Sequence, residues 1–440
     1  MLFRSACFPH SQFTVAFPCW PSTITTKDVV SAFLASLKPN MVLLIEGAVH
    51  LPTWSPPADV ASYLVHPIPC VRGKPNLLLH QLGYFADEPE LQRRVDDVFM
   101  PTSPSHTILV NTSGSGKTRL LLEGLCQSWG FYFTSFVDSS LLGSGDIQNA
   151  IQTAIPHDSH FHPVLPPATS REYQSTVSRN EAVAERAFKR AFLARALLFN
   201  LFIDAMKADK GSSQTAGDYR RKWLLLQLQP SILHPKIWDP FVDLTHKLSA
   251  CSDIHLNKMA KKVLRRIRTA LGSRGATTPS SGCAGVPLYC VVDEAQFAAT
   301  QHTAAFCSTD PHDAIPRPIL RPLVQTISAL TLGHGVFIVL AGTGLSQSSV
   351  DATMASAVMK ESRYRWCYDT GAFEGWDGMS GWVRRFVPDW VFEGPAGNRL
   401  KERMGYWLSG RLASRFFPFF FFPIDDDRKK KAPVCRGLCD

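Results

Sequence analysis

Eight residues constrain this chain more than any other stretch: Asn111-Thr112-Ser113-Gly114-Ser115-Gly116-Lys117-Thr118. They match the phosphate-binding pattern G-x-x-x-x-G-K-[ST] at every defining position except the first, where asparagine replaces glycine. That position often needs a positive φ, and asparagine is the non-glycine residue that tolerates one best. The pattern carries meaning only between a strand and a helix, and both are expected here. Thr107 to Val110 reads as a short buried strand, Lys117 to Trp129 as a helix, and the aromatic-rich Phe131 to Val137 as a second strand. Strand, glycine turn, helix, strand is a βαβ unit, which builds a parallel sheet.

The chemistry of such a loop follows from its backbone. Glycines let the chain curl so that successive N–H groups face an anion. The helix beginning near Lys117 points its positive end at the same place. Lys117 is then expected to reach the β- and γ-phosphates of a nucleotide, ATP or GTP, and the Thr118 hydroxyl to ligate Mg²⁺. Nucleotide contacts are expected from Asn111, Thr112, Ser113, Gly114, Ser115, Gly116, Lys117, Thr118 and the following Arg119. The competing reading is a Ser/Gly surface turn with a stray lysine.

Two further segments look like partners of that loop. Leu288-Tyr-Cys-Val-Val292-Asp293-Glu294 is a continuous apolar run, as buried parallel strands are, and it ends in two acids. The carboxyl end of such a strand is where these sheets place ligands. Asp293 there can hold Mg²⁺ and Glu294 can orient or activate a water. The plain alternative is a strand end with two solvated carboxylates. Val336-Phe-Ile-Val-Leu340-Ala-Gly-Thr343-Gly is a third apolar strand ending in a small loop. Thr343 could contact the γ-phosphate or the water, though a tight turn with an incidental threonine explains it almost as well.

The rest of the 440 residues sets the frame. At roughly 150 residues per domain, two or three units are expected. Residues 1–75 read as a separate N-terminal region without an assigned role. In it, Phe13 to Phe17 and Met41 to Glu46 read as strands, and Lys27 to Leu37 as a short helix followed by a Pro-rich stretch. Leu77 to Phe99 reads as helical. A helical insertion is expected over about 155–280, between the second strand and the Asp293 strand. Its main helix runs from Asn180 to Lys207, with further helix at Trp223 to Leu228, Ile237 to Leu248 and Leu256 to Leu271. The fold class expected is therefore α/β: a mostly parallel sheet with helices on both faces and a helical insertion.

Composition narrows the partners. The formal charge of +9 permits an anionic partner without demanding one. Lys258, Lys261, Lys262, Arg265, Arg266 and Arg268 share one helix with an apolar stripe at Met259, Val263 and Ile267. They could track a nucleic-acid backbone, but a solvated face on a packed helix is the favoured reading. Eleven cysteines, scattered and without CxxC spacing, read as reduced thiols of an intracellular protein, cytoplasmic or nuclear. No run reaches the ~18 consecutive apolar residues of a membrane span, so no membrane is expected among the partners.

The three strands resemble the core of the P-loop NTPases with a catalytic glutamate, the group that holds AAA+ and STAND ATPases, over about residues 77–411. More narrowly, Ser113 to Arg119, Trp129-Gly-Phe-Tyr132, Val292-Asp-Glu-Ala-Gln296 and Ala341-Gly-Thr-Gly-Leu345 resemble a fungal, chiefly basidiomycete, group of P-loop proteins related to crinkler-type ATPase modules. The resemblance implies Mg²⁺-dependent NTP hydrolysis, with Asp293 as the metal acid and Glu294 as the water acid. It also implies nucleotide contacts at Gly114 through Thr118, and it supplies no specific substrate; a protein partner, a conformational switch or a homo-oligomer could be what hydrolysis is coupled to. Arg363 and Arg365 are candidate arginine fingers, and Arg411 in Trp407-Leu-Ser-Gly-Arg411 a candidate second-sensor arginine; an ordinary solvated arginine explains each of them at least as well. After Arg411 the composition changes abruptly. Residues 412–440 read as an atypical tail, of the kind a read-through intron would produce in place of a helical lid. Two other functions compete with hydrolysis: a nucleotide-gated interaction module with little turnover, and a nucleic-acid binder using the basic helix.

Overall fold

The computed structural model describes residues 26–56, 61, 68–100, 106–209, 213–272, 286–308, 316–345, 350, 364–371 and 375–408. The strand read at Phe13 to Phe17, Arg363, Arg411 and the tail 412–440 lie outside these residues.

The chain forms an α/β fold around five parallel strands: β1 (His106–Val110), β2 (Trp129–Thr134), β3 (Leu288–Asp293), β4 (Val336–Gly342) and β5 (Tyr364–Cys367), in the order β2-β3-β4-β1-β5. The three central strands are apolar runs because they are covered on both faces. Period-two alternation divides their side chains. Ile108, Phe131, Phe133, Cys290, Val292, Ile338 and Leu340 belong to one buried cluster. Leu109, Tyr132, Tyr289, Val291, Val339 and Ala341 belong to the other. The first face is covered by the helices α1 (Thr26–Glu46), α4 (Tyr173–Ala208), α7 (Asp253–Gly272) and α9 (Leu320–Thr331). The second is covered by α2 (Pro89–Val98) and α3 (Lys117–Gln127).

Between β2 and β3 the chain runs through α4, then α5 (Ala216–Leu228), α6 (Pro240–Lys247) and α7. These helices finish the edge of the sheet. β2 is an outer strand, so one side of its backbone has no neighbouring strand to pair with. Side chains of the insertion take that place. Gln227 accepts from the Tyr132 N–H at 2.8 Å, Trp223 donates its indole N–H to the Gly130 carbonyl at 2.8 Å, and Arg195 donates to the Tyr132 carbonyl. The Arg195 guanidinium is wholly buried, held by both oxygens of Asp146 at 2.6 and 2.8 Å and lying over the rings of Phe133 and Phe241. A charge this deep requires such pairing, since an unpaired one would be strongly destabilising.

Two local expectations are corrected. Met41 to Glu46 is not a strand; it continues α1. The buried positions Val30, Phe33, Leu37, Met41, Leu44 and Ile45 keep helical spacing straight through Pro39. An interior proline costs a helix about 3 kcal/mol, and the burial of this stripe against α4 in one continuous core offsets it. Residues Lys27–Glu46 are, by length and composition, apolar enough to cross a membrane, with a mean hydropathy of 1.5. A third of that window is buried, through the stripe that faces the core, while Leu43 on the other side of the helix is 45% exposed.

Leu77 to Phe99 is not one helix. It comprises two 3₁₀ turns, Leu77–Leu79 and Tyr84–Asp87, followed by α2. Gly83 lies at φ 95° between the turns, and Pro89 occupies the first position of α2. A proline pushes the preceding residue out of the helical region, and Glu88 is indeed extended at φ −118°. Beyond the sheet, α10 (Gly375–Val383) and α11 (Gly394–Leu408) close a small separate apolar cluster around Met379, Phe386 and Phe392.

Candidate functional site

The carboxyl ends of β1, β3 and β4 lie side by side, and the loops leaving them carry the candidate residues. Parallel pairing fixes this: Val110 of β1 is level with Gly342 of β4, and Val292 of β3 with Leu340 of β4. Open α/β sheets offer their ligand crevice at that end.

The 111–118 loop curls as its glycines allow. Gly114 and Gly116 have φ of 79° and 94°, in the region where an L side chain is strained. Gly116 caps α3, which begins at Lys117. Asn111 does something a glycine could not. Its amide donates to the Tyr368 carbonyl and the Thr370 hydroxyl, both at 2.8 Å, while its oxygen accepts from the Thr112 N–H at 2.7 Å. The loop is thereby latched to the segment after β5. Lys117 is 8% exposed, and its ammonium donates to the Asn111 and Thr112 carbonyls at 2.8 and 2.7 Å. Burial lowers its pKa, opposed by the nearby Asp293 and Glu294 carboxylates. The Ser115 hydroxyl is buried without a hydrogen-bond partner in the loop, which is unusual for a polar atom.

Asp293 is the last residue of β3. Alternation along the strand places Tyr289, Val291 and Asp293 on the face that α3 covers, so the carboxylate meets the first turn of that helix. Thr118 Oγ1 donates to Asp293 Oδ2 at 2.9 Å. Tyr132, on the same face of β2, donates to that oxygen at 2.9 Å, and the Glu294 N–H donates to Oδ1 at 2.9 Å. Burial raises the pKa of Asp293, and the hydrogen bonds from Thr118, Glu294 and Tyr132 work against that. Tyr132 is pushed well above the usual phenol range, first by burial and then by the Asp293 charge.

Glu294 follows in the left-handed region, at φ 52° and ψ 34°. This conformation is uncommon for a residue with a long side chain, and non-glycine strain of this kind concentrates at functional sites. It turns the chain out of β3 into the short helix α8 (Ala295–Thr300). Burial raises the Glu294 pKa, and the Asp293 charge adds to it. Gln296, which the sequence reading passed over, donates its amide N–H to Glu294 Oε2. The amide oxygen accepts from the Thr343 N–H at 3.0 Å. Glu294 and Thr343 are thus joined through one side chain.

Most of the sequence candidates therefore meet at one end of the sheet: Lys117, Thr118, Asp293, Glu294 and Thr343. Arg119 faces another way. Its guanidinium donates to the carbonyls of Leu78, His80 and Gln81 at 3.0, 2.7 and 2.9 Å, and pairs with the buried Glu123 carboxylate at 2.5 Å. It fastens the 77–81 segment to α3. Arg365 pairs in register with Thr107, near the amino end of β1, and so sits away from the loop. Tyr132 and Gln296 are functional candidates that sequence reasoning missed. Both fall in the segments singled out by resemblance, Trp129–Tyr132 and Val292–Gln296, and that was the available signal.

The basic helix α7 buries Leu256, Ala260, Val263, Leu264 and Ile267 and exposes Lys258, Lys261, Lys262, Arg265 and Arg266. Arg268 is used internally, donating to the carbonyls of Val286 and Gly335. Arg266 pairs with Asp204 at 3.4 Å. This is the pattern of a packed helix with a solvated cationic face. We expect the quadruple change of Lys261, Lys262, Arg265 and Arg266 to Glu to leave the fold and the crevice at the carboxyl end of the sheet unaltered. A gel-shift series over salt should show no steep loss of RNA or DNA binding between unmodified protein and variant; a large loss with intact folding would make α7 the functional surface.

Comparison of the chain with protein-family models, with curated proteins and with solved structures finds no match.

Proposed function

We propose that the chain binds a nucleoside triphosphate, ATP or GTP, with Mg²⁺ and hydrolyses it, using the cleavage to switch or drive a partner interaction. The observation that carries this reading is the 2.9 Å contact between the Thr118 hydroxyl and the Asp293 carboxylate, beside the buried Lys117 ammonium, at the carboxyl end of a parallel sheet. Glycine-turn amides, a helix N-terminus, a fixed cation, a hydroxyl and a carboxylate are the groups that phosphoryl transfer requires. One strand, β4, separates the loop strand β1 from the acid strand β3, which leaves room at the strand ends for the γ-phosphate and a water.

The donor set fits Mg²⁺. Hydroxyl and carboxylate oxygens are hard ligands. Mg²⁺ is typically bound by one or two carboxylates together with phosphates and waters. No group of three or more His, Cys, Asp or Glu able to hold a metal occurs among the described residues. Thr118 and Asp293 are thus the residues that would hold the ion, and the nucleotide must supply further oxygens. When bound, Mg²⁺ would neutralise charge on the β- and γ-phosphate oxygens. Lys117 and the loop amides orient the phosphates and offset their charge from the other side. The Ser115 hydroxyl supplies a further donor inside the loop. Glu294 accepts a hydrogen bond from the attacking water and takes up its proton as the bond to the γ-phosphorus forms, while the bond from that phosphorus to the bridging oxygen breaks and the nucleoside diphosphate leaves. Thr343 stands on the γ-phosphate side of the crevice.

Calorimetric titration with ATP and GTP, together with phosphate release, tests the proposal. One site per chain is expected with Mg²⁺, weaker binding after chelation by EDTA, and release of phosphate only with the metal. The ion alone should bind weakly, because its protein ligands are two. Failure of both nucleotides to bind would overturn the proposal. Binding without turnover, even with added partners, would leave a nucleotide-gated interaction module.

A further inference from the structure

We propose that Gln296 is a positioning residue that holds the Glu294 carboxylate in place and ties it to the loop after β4 at Thr343. The inference rests on the hydrolytic reading above and deepens it.

The geometry of the amide leaves one orientation. Its nitrogen faces Glu294 Oε2, which only accepts, and its oxygen faces the Thr343 N–H, which only donates. Turning the amide over would set oxygen against carboxylate and NH₂ against N–H, so the two contacts define the placement together. Each end also needs the other. A glutamate has three rotatable bonds, and ordering such a side chain costs conformational entropy. Glu294 leaves a left-handed backbone position at the mouth of the crevice. Gln296 lies two residues on, in the first turn of α8, and supplies the donor that selects one of those rotamers.

The β4 loop is shaped to receive the amide. A Cβ added at Gly342 would stand 2.7 Å from Gln296 Oε1 and 2.8 Å from Leu345 Cδ1. Gly342 is therefore bare where the Gln296 amide closes on the backbone. Gly342 and Gln296 lie far apart in the chain and are matched to each other in space. The consequence is mechanical. Any shift of the Thr343 loop, on the γ-phosphate side of the crevice, moves the acceptor of the water proton with it. The base is thereby aligned in step with the presence of the phosphate it serves.

The test is a two-residue cycle in the full-length protein, with kcat, KM and the dissociation constant of Mg²⁺-ATP measured for each form. Gln296→Ala is expected to lower kcat by about 10- to 100-fold, the scale of a small misplacement of a catalytic group. Nucleotide affinity should change less than about twofold, since every phosphate contact assigned above survives. Gly342→Ala breaks the same contact from the other side and should lower kcat in the same way. The double variant should be no worse than the weaker single one, because both remove one interaction. Thermal unfolding of each variant identifies any that fails to fold; Gln296→Ala, which only truncates a half-buried side chain, then carries the test alone. Unmodified kcat in Gln296→Ala, or a loss that falls on nucleotide affinity and not on kcat, overturns the positioning role while the hydrolytic reading stands. Absence of turnover in the unmodified protein, measured against Lys117→Ala as background, overturns the hydrolytic reading and this role with it.

Discussion

Lys117→Ala should reduce triphosphate affinity by about 10²-fold or more, the largest effect expected of a single substitution in this protein. Among the described residues, Lys117 is the cation held inside the 111–118 loop, where its ammonium donates to the Asn111 and Thr112 carbonyls. Hydrogen bonds to charged groups contribute about 1.5–3 kcal/mol each, and Lys117 is expected to make two of them to phosphate oxygens. Burial strengthens the case, because desolvation lowers the Lys117 pKa and the ammonium gains from an anionic ligand what it lacks in water. In the free protein the substitution should do little harm. It leaves two carbonyls in a loop whose residues Thr112 to Gly114 are exposed, where water can replace the lost donor. A fluorescent-nucleotide titration alongside thermal unfolding separates the two effects. Unchanged affinity in a folded variant would sink the loop assignment.

The second large effect separates binding from chemistry. Glu294→Gln keeps the shape of the side chain and removes its charge and basicity. Turnover should fall by about 10²-fold or more, the scale of a positioned general base. Affinity for the Mg²⁺-nucleotide should hold, because Lys117, Thr118 and Asp293 are untouched. Asp293→Asn should do the reverse and weaken mainly the Mg²⁺-dependent part of binding. It also disturbs the hydroxyls of Thr118 and Tyr132, both of which donate to the oxygen it would lose or exchange. Single-turnover phosphate release and nucleotide titrations on both variants decide the matter. Turnover at the original rate in Glu294→Gln would remove that residue from the mechanism.

The parts of this molecule legible in the sequence are those where local chemistry and fold agree. The loop 111–118 needs glycines at particular φ values, and Asp293 ends an apolar strand, so both announce themselves in a few consecutive residues. Strand ends were less clear: β2 begins at Trp129 and stops at Thr134, where aromatic content alone suggested Phe131 to Val137. The sequence reading of α1 stops at Leu37, short of its end at Glu46; Pro39 lies inside the helix, and packing against α4 carries the helix through it. β5 left almost no trace. It is four residues long, lies at the sheet edge and carries an arginine, so neither length nor apolar run marks it. Tyr132 and Gln296 were hidden for another reason. Their roles come from partners far along the chain, Asp293 in one case and Thr343 in the other, and no periodicity encodes such a meeting.

The edge of the sheet at β2 has a consequence for how the molecule can be cut or evolve. Trp129-Gly-Phe-Tyr-Phe-Thr134 is six residues long, aromatic and without charge. Such a segment, with an open row of backbone donors and acceptors, is the kind that recruits strands from other molecules. Trp223, Gln227 and Arg195 occupy that row. The helices between β2 and β3 therefore act as an internal chaperone for the strand that supplies Tyr132 to Asp293. Their loss would turn a soluble edge into a sticky one before it ever touched the chemistry. A shortened chain without these helices needs another cover for β2.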